Sequence, residues 1–295
     1  LEIAELAREF APELQVSLSH QAVGTFREYE RCATTIADAA LGPLLSGYLA
    51  RLSDRALALG LPEPQVMLSN GGTVPARTAG ANASWTVLSG PAGGAVGAAR
   101  SAMRRGATHA LAFDMGGTST DISLIDEGEV AVVAAREIDG RPIALPSVDV
   151  STVGAGGGSI AWQDEGGALR VGPQSAGARP GPACYGHGGR EATVTDANLL
   201  LGYLADESEL AGGLRLDRQA AESAIAALAG ELELSTLATA SGIVEIANLE
   251  MIRATTAATV ARGIDPRGHA LIAFGGAGPM HAAAIAEALQ IRRVI

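Results

Sequence analysis

The sequence predicts an α/β protein built on mixed sheets with flanking helices. Three observations carry this. Short apolar runs at residues 109–113, 122–125 and 130–134, with a turn at Glu127-Gly128, read as a three-stranded meander. Long helical patterns separate some of the other predicted strands. A last apolar run at 270–274 enters a glycine turn and then a helix.

The elements follow in order. Residues 1–10 read as a helix. Residues 43–59 read as a second, because Leu45, Leu49, Leu52, Ala56 and Leu59 repeat at helical spacing; Gly60, Pro62 and Pro64 end it. Residues 65–69 form a short strand that ends in Asn70-Gly71-Gly72-Thr73. Ser89-Gly90-Pro91 opens a small-residue helix to about Arg105. Residues 140–196, rich in glycine and proline, are too long for a linker and read as an irregular functional surface. Asp217 caps a helix to about Leu228. A longer helix covers roughly 241–262, with Val244, Ala247, Met251, Ala254 and Ala258 on one face. After the strand at 270–274, the final helix runs to about Leu289.

The loop inside the meander carries the chemistry. It reads Asp114-Met115-Gly116-Gly117-Thr118-Ser119-Thr120-Asp121. Two glycines let backbone approach a ligand. Their N–H groups, with the hydroxyls of Thr118, Ser119 and Thr120, can surround an anion. Asp114 and Asp121 can hold a hard cation such as Mg²⁺, directly or through water. Gly-Gly-Thr after a strand also serves as a plain hairpin turn, but a turn does not require so many polar groups. The set suits a metal-chelated polyphosphate.

Composition bounds the alternatives. The chain has 295 residues, 47% hydrophobic and 18% charged, and is therefore globular. A net charge of −11 argues against a nucleic-acid or anionic-membrane surface. Cys32 and Cys184 are too few for a disulfide scaffold or a thiolate zinc site. No apolar run reaches the roughly 18 residues of a membrane span, and no signal peptide opens the chain, so a cytoplasmic setting is expected. All 21 basic residues are arginine, which removes a Walker-type lysine. The helical start and the strand-like end at Arg293-Val294-Ile295 predict a domain excised from a longer protein.

A meander followed by strand–helix units is the half-fold of the actin, sugar-kinase and chaperone ATPases. In those proteins nucleotide lies between two such halves. The second glycine loop, Gly275-Gly276-Ala277-Gly278, opens the last helix, whose N-terminus offers unpaired N–H groups and partial positive charge. It suits adenine, ribose or an α-phosphate; small residues in a strand-to-helix turn also serve close packing. A dinucleotide fold is disfavoured. His281 stands where the third glycine belongs, and no clear helix follows Gly154-x-Gly156.

These residues resemble the hydantoinase/oxoprolinase family, A-type subunit or central domain. The family includes N-methylhydantoinase A, 5-oxoprolinase and subunits of acetone and acetophenone carboxylases. Matching segments include Ser69-Asn70-Gly71-Gly72-Thr73, Leu88-Ser89-Gly90-Pro91-Ala92-Gly93-Gly94 and the loop at 113–121. Val153-Gly154-Ala155-Gly156-Gly157-Gly158-Ser159-Ile160, Ser175-Ala176-Gly177-Ala178 and Gly181-Pro182-Ala183-Cys184-Tyr185-Gly186 also match. Thr193-Val194-Thr195-Asp196-Ala197-Asn198 and residues 274–281 complete the set.

The resemblance implies an actin-like (ribonuclease H-like) ATPase fold. It implies that residues 1–106 end a first lobe with its connecting helices, and that 107–295 form the second lobe. Its cofactors would be ATP and Mg²⁺, with Asp114 on the metal. Gly116, Gly117, Thr118, Ser119 and Thr120 would hold phosphates, and Gly275, Gly276, Ala277 and Gly278 the adenosine. Asp114, Thr118 and Asp121 are the catalytic candidates. Asp149, Ser151, Gly156 and Gly157 are the candidates for substrate. Where many relatives have Asp-x-His-Thr, this chain has Asp149-Val150-Ser151-Thr152, and Ser151 cannot serve as a neutral-pH base.

The activity implied is ATP-dependent hydrolysis of a cyclic amide, with a B-type hydantoinase subunit or domain as partner in a hetero-oligomer. Carboxylation of a ketone, or a non-catalytic scaffold, are the alternatives. Cys184 is expected to be a buried thiol, Asp196 a helix cap, and His187 solvent-facing. Trp85 and Trp162 are expected to pack. His281 is open between helix capping and contact with ribose or phosphate.

Overall fold

The computed structural model describes residues 2–207, 209–210 and 212–295. The chain divides into two compact units. One runs to Gly97 and includes Glu129–Asp149; the other comprises Ala98–Gly128 and Val150–Ile295. A single boundary at 106/107 therefore does not describe the compact units. The chain leaves the second unit after Gly128 and returns to it at Val150.

In the first unit a helix, α1, spans Glu28–Ala58 and continues through Pro43. The predicted start at Pro43 is corrected. Proline suits a first turn, yet the helix runs through it from Glu28, and Thr34, Asp38 and Gly42 are buried along the earlier part. Asp38 shows why that earlier part is ordered. Its buried carboxylate accepts from the Ser84 N–H and hydroxyl, both at 2.9 Å, and from Ser17 Oγ at 2.7 Å. Leu49 packs with Ala76 and Ala79 in a small core. Val132–Val133 pairs with Ser147–Val148 in this unit. Of the expected third meander strand, only Glu129–Val130 pairs with Thr120–Asp126.

The second unit holds the main core. Strands β1 (Ala110–Met115) and β2 (Thr120–Asp126) form an antiparallel hairpin. The place beside β2 goes to β3 (Val150–Val153), also antiparallel. Strands β4 (Ser159–Gln163) and β5 (Leu169–Ser175) pair as a separate hairpin within the stretch expected to be irregular. Helix α2 (Val194–Leu200) is capped by Thr193. Asp196 reciprocates in a capping box, so it supports the cap and is not the cap itself. Asp217 caps α3 (Arg218–Glu231), and Ser235 caps α4 (Thr236–Val260). Strand β6 (Ala270–Phe274) lies parallel to β1 and leads to α5 (Gly278–Ala288). Residues 293–295 then add parallel to β6, through Leu271 and Val294.

The sheet order is therefore β3-β2-β1-β6, with 293–295 outside β6. Three antiparallel strands followed by parallel ones is the actin-like, ribonuclease H-like arrangement. Phe113, Leu111, Met115, Ile225, Ile243, Met251, Leu271 and Ile285 are almost wholly buried and form its core. This core fixes the carboxyl ends of β1 and β6 side by side, where ligands bind in open α/β sheets. Among the described residues no helix is long and apolar enough to cross a membrane.

Candidate nucleotide site

The β1–β2 hairpin closes through Gly116 N–H donating to the Ser119 carbonyl at 3.0 Å. The register sets Asp114 opposite Asp121, and Asp121 opposite Thr152 on β3. Side chains alternate along a strand, so these three share one face across three strands. Phe113 and Ile122 take the other face, towards the core, and Ser151 stands opposite Ile122. Thr152 donates to Asp121 Oδ1 at 2.6 Å. Thr152 is the residue that sequence reasoning passed over. Its signal was the motif Asp149 to Thr152, in which attention went to Ser151.

Asp114 has its carboxyl raised above the ordinary value of 3.8, first by burial and then by the charge of Asp121. Two facing carboxylates that repel are relieved by a cation. Among the described residues no group of three or more His, Cys, Asp or Glu converges on one point. Mg²⁺ commonly takes only one or two carboxylates, with water and phosphate completing its shell, so the pair fits that ion.

Of the three hydroxyls expected around an anion, one is corrected. Thr120 is fully buried, and its Oγ1 donates to the Ala155 carbonyl at 2.6 Å. Alternation turns it inward, where it anchors the loop instead of lining it. Thr118 is exposed and Ser119 half-buried, at the hairpin tip.

Gly156 and Gly157 are buried against the back of this loop. Gly157 N–H donates to the Gly116 carbonyl at 2.9 Å, and Gly158 N–H to the Gly117 carbonyl at 2.6 Å. A Cβ on Gly156 would lie 2.7 Å from Ser119 N and from the Thr118 carbonyl carbon. Behind them, the Thr195 N–H and Oγ1 both reach the Gly157 carbonyl at 2.7 Å. Asp149 belongs to the other compact unit, where its N–H donates to the Ala131 carbonyl at 2.8 Å.

The second glycine loop meets the first. Ala277 N–H donates to the Met115 carbonyl at 2.9 Å. Gly275 has φ +82°, and a Cβ there would fall on Asp114 Oδ1 and 2.5 Å from the Met115 carbonyl oxygen. The turn therefore needs glycine on both counts. Gly275 and Gly276 are exposed, and α5 begins at Gly278 with Pro279 in its first turn and no side-chain cap. In its first turn Pro279 carries no N–H and the Met280 N–H donates to the Ala277 carbonyl at 3.1 Å, so the exposed backbone of Gly275 and Gly276 is what this loop offers a ligand.

His281 is neither a cap nor a ligand contact. It is buried, its Nδ1 lies 2.7 Å from Asn248 Oδ1, and its Nε2 lies 3.2 Å from Asn198 Nδ2. A carboxamide oxygen only accepts, so Nδ1 carries the proton and Nε2 accepts. Burial lowers its pKa to about 4, below the ordinary 6.5. The sign follows: the unfolded chain binds the proton first, so stability falls as pH drops from 6.5 to 4. A shift of this size is worth on the order of 3 kcal/mol. His281→Asn, which keeps a donor towards Asn248, is expected to flatten that part of the pH–stability curve in urea titrations. An unchanged slope would count against a buried neutral imidazole.

Cys184 is wholly buried, and burial, with the charge of Asp196 behind it, pushes its thiol far above the ordinary range. Its N–H donates to Asp196 at 2.8 Å. It is a packed thiol. His187 is exposed. Trp162 is 43% exposed, and its Nε1 donates to the Gly172 carbonyl.

A family profile described as hydantoinase/oxoprolinase matches residues 31–295. The chain belongs to the hydantoinase/oxoprolinase family. Caprolactamase subunit alpha of Pseudomonas jessenii is 41% identical over 98% of this chain and 42% of its own length. 5-Oxoprolinase 1 of Arabidopsis thaliana is 40% identical over 95% of this chain and 23% of its own. The nucleotide-free structure of acetone carboxylase, described with a mechanism of ATP-dependent acetone carboxylation, superposes with a TM-score of 0.85 at 30% identity. It covers 99% of this chain and 41% of that one. This member of the hydantoinase/oxoprolinase family thus spans less than half the length of these relatives. By their names, they are a caprolactamase subunit, a 5-oxoprolinase and an acetone carboxylase.

Proposed function

We propose that the second unit is the second lobe of an ATPase, and that the complete protein uses ATP to open a cyclic amide. The observation that carries this is the meeting of two glycine loops from distant parts of the sequence. The Met115 carbonyl takes the Ala277 N–H at the common end of β1 and β6. One loop brings Asp114 and the exposed Gly117 and Thr118, and the other brings the exposed Gly275 and Gly276.

In this reading Asp114 holds Mg²⁺, which neutralises phosphate charge when bound. Gly117, Thr118 and Ser119 hold the β- and γ-phosphates through N–H and hydroxyl groups, and Gly116, whose N–H closes the hairpin on the Ser119 carbonyl, shapes the turn. Gly275, Gly276, Ala277 and Gly278 take the adenosine side. Asp121, held by Thr152, fixes the loop or a water. Ring amides are poor electrophiles. Moving the γ-phosphoryl from ATP to the amide oxygen releases ADP and gives an imidate phosphate; one water adds at carbon and the ring C–N bond breaks to leave an acyl phosphate, which a second water hydrolyses to carboxylate and phosphate. Positioning and electrostatic stabilisation supply the rate. A B-type subunit as partner in a hetero-oligomer is part of the proposal, in keeping with a relative named as a subunit.

The likeness to acetone carboxylase favours a second reading, in which a ketone and bicarbonate are the substrates. The test is ATP turnover by the complete native protein with its partner, first with lactams and hydantoins, then with ketones and bicarbonate. Turnover stimulated by a ring amide supports the first reading, and bicarbonate dependence supports the second. If Mg·ATP does not bind in calorimetry, both are wrong and the protein is a scaffold.

A further inference from the structure

We propose that a cavity in the first unit is the pocket that recognises the neutral ring amide. This rests on the reading of the protein as an ATP-dependent enzyme for cyclic amides. The cavity has a volume of about 310 Å³ and is lined by Gln21, Val23, Leu68, Asn70, Trp85 and Leu145, among others. That volume lies at the low end for ligand pockets, roughly 300–1,000 Å³, and suits a small ring.

Its chemistry is selective. Among the described residues no ionisable side chain lines it, in a chain that is 18% charged. An anion finds no counter-charge there, whereas a neutral ring finds the apolar walls of Val23, Leu68, Leu145 and Trp85. The polar groups are two carboxamides. Asn70 Oδ1 accepts the Gly72 N–H at 2.9 Å, which fixes the amide plane and leaves Nδ2 as the donor. Nδ2 has no protein partner among the described residues, and neither has the Gln21 carboxamide. A ring amide needs one donor for its carbonyl and one acceptor for its N–H. Asn70 Nδ2 and Gln21 Oε1 supply them.

The pocket is braced before any ligand arrives. Ser69, beside Asn70, donates its N–H to the Trp85 carbonyl and accepts the Val148 N–H at its own carbonyl, both at 2.7 Å. Ser69 Oγ accepts the Leu88 N–H at 3.1 Å. The walls around 68–70, 85 and 145–148 are thereby tied together. Gly71, at φ +85°, keeps the turn, and a Cβ there would press on Val96. A preformed site loses less to ordering when a ligand binds.

Asn70→Asp is the decisive variant, because it keeps the oxygen that accepts from Gly72 and removes the Nδ2 donor. The experiment measures ε-caprolactam-stimulated ATP turnover by the complete protein with its partner. Asn70→Asp and Trp85→Leu are expected to raise KM for the lactam about tenfold or more and to leave KM for ATP unchanged. Full turnover with unaltered lactam KM in both variants overturns the pocket and leaves the proposed function standing. If wild type shows no amide-stimulated turnover, the proposed function is what fails. Saturation-transfer NMR with ε-caprolactam then decides the pocket alone: a signal on wild type that Asn70→Asp abolishes upholds it, and no signal on wild type overturns it.

Discussion

Asp114→Asn is expected to weaken Mg·ATP binding by the complete protein on the order of a hundredfold or more, while the fold becomes no less stable. The first half follows from position. Asp114 lies one residue from the end of β1, on the face shared with Asp121 and directly beside the turn at Gly275. The second half follows from linkage. The folded protein raises the Asp114 pKa, through burial and the charge of Asp121, so the unfolded chain loses this proton first. Stability is therefore lost as pH rises through the ordinary value of 3.8 and on through the folded pKa. Above both, the strain of the ionised pair is present in full, and asparagine removes it. Calorimetry should show lost nucleotide binding beside an equal or higher Tm at pH 7. The Tm difference should vanish below about pH 4. A variant that binds Mg·ATP like wild type would remove Asp114 from the site.

Gly156→Ala is expected to be nearly as damaging, for a steric reason. The new methyl would meet Ser119 N, the Thr118 carbonyl carbon and the Gly117 carbonyl carbon within 2.7–2.8 Å, all of them backbone. No side chain can rotate away, so the 116–119 loop itself must move. Overpacking of this kind costs about 1–3 kcal/mol, and nucleotide affinity should fall with it. Gly158→Ala meets the Gly117 carbonyl oxygen at 2.9 Å and Ser175 Oγ at 3.0 Å, and should cost less. Gly154→Ala, with only the Pro173 carbonyl oxygen at 4.0 Å, should be tolerated. Urea midpoints for the three variants check the order. Equal midpoints would mean that the glycines are not tight against the loop.

Both loops were legible in the sequence because backbone close approach demands glycine, and glycine is visible. Strand β6 and its helix were legible because a buried strand followed by a glycine turn has few other readings. What escaped depended on register. Whether Thr120 faces a ligand or the core is decided by which residues pair across the hairpin, and a one-place shift reverses it. Thr152 escaped for the same reason, since its partner Asp121 lies 31 residues earlier. The start of α1 escaped because Pro43 mimics a first turn, whereas the value of Asp38 comes from Ser84, 46 residues away. His281 escaped because its polar partners come from α2 and α4, which no local pattern brings together.

The return of the chain at Val150 has a consequence for modularity. Strands β2 and β3 are direct antiparallel neighbours, with Val150 opposite Ser123. Their geometry asks for no more than a short turn at the tip. Instead, Glu129–Asp149 leaves there to complete the other compact unit. The tip is a graft point, and the host hairpin is held by its own ladder and by the Thr152–Asp121 bond. Neither unit is one uninterrupted stretch of sequence. A gene split at a single point cannot separate them, and a shuffled hybrid would have to carry the graft with residues 1–97 to keep both cores whole.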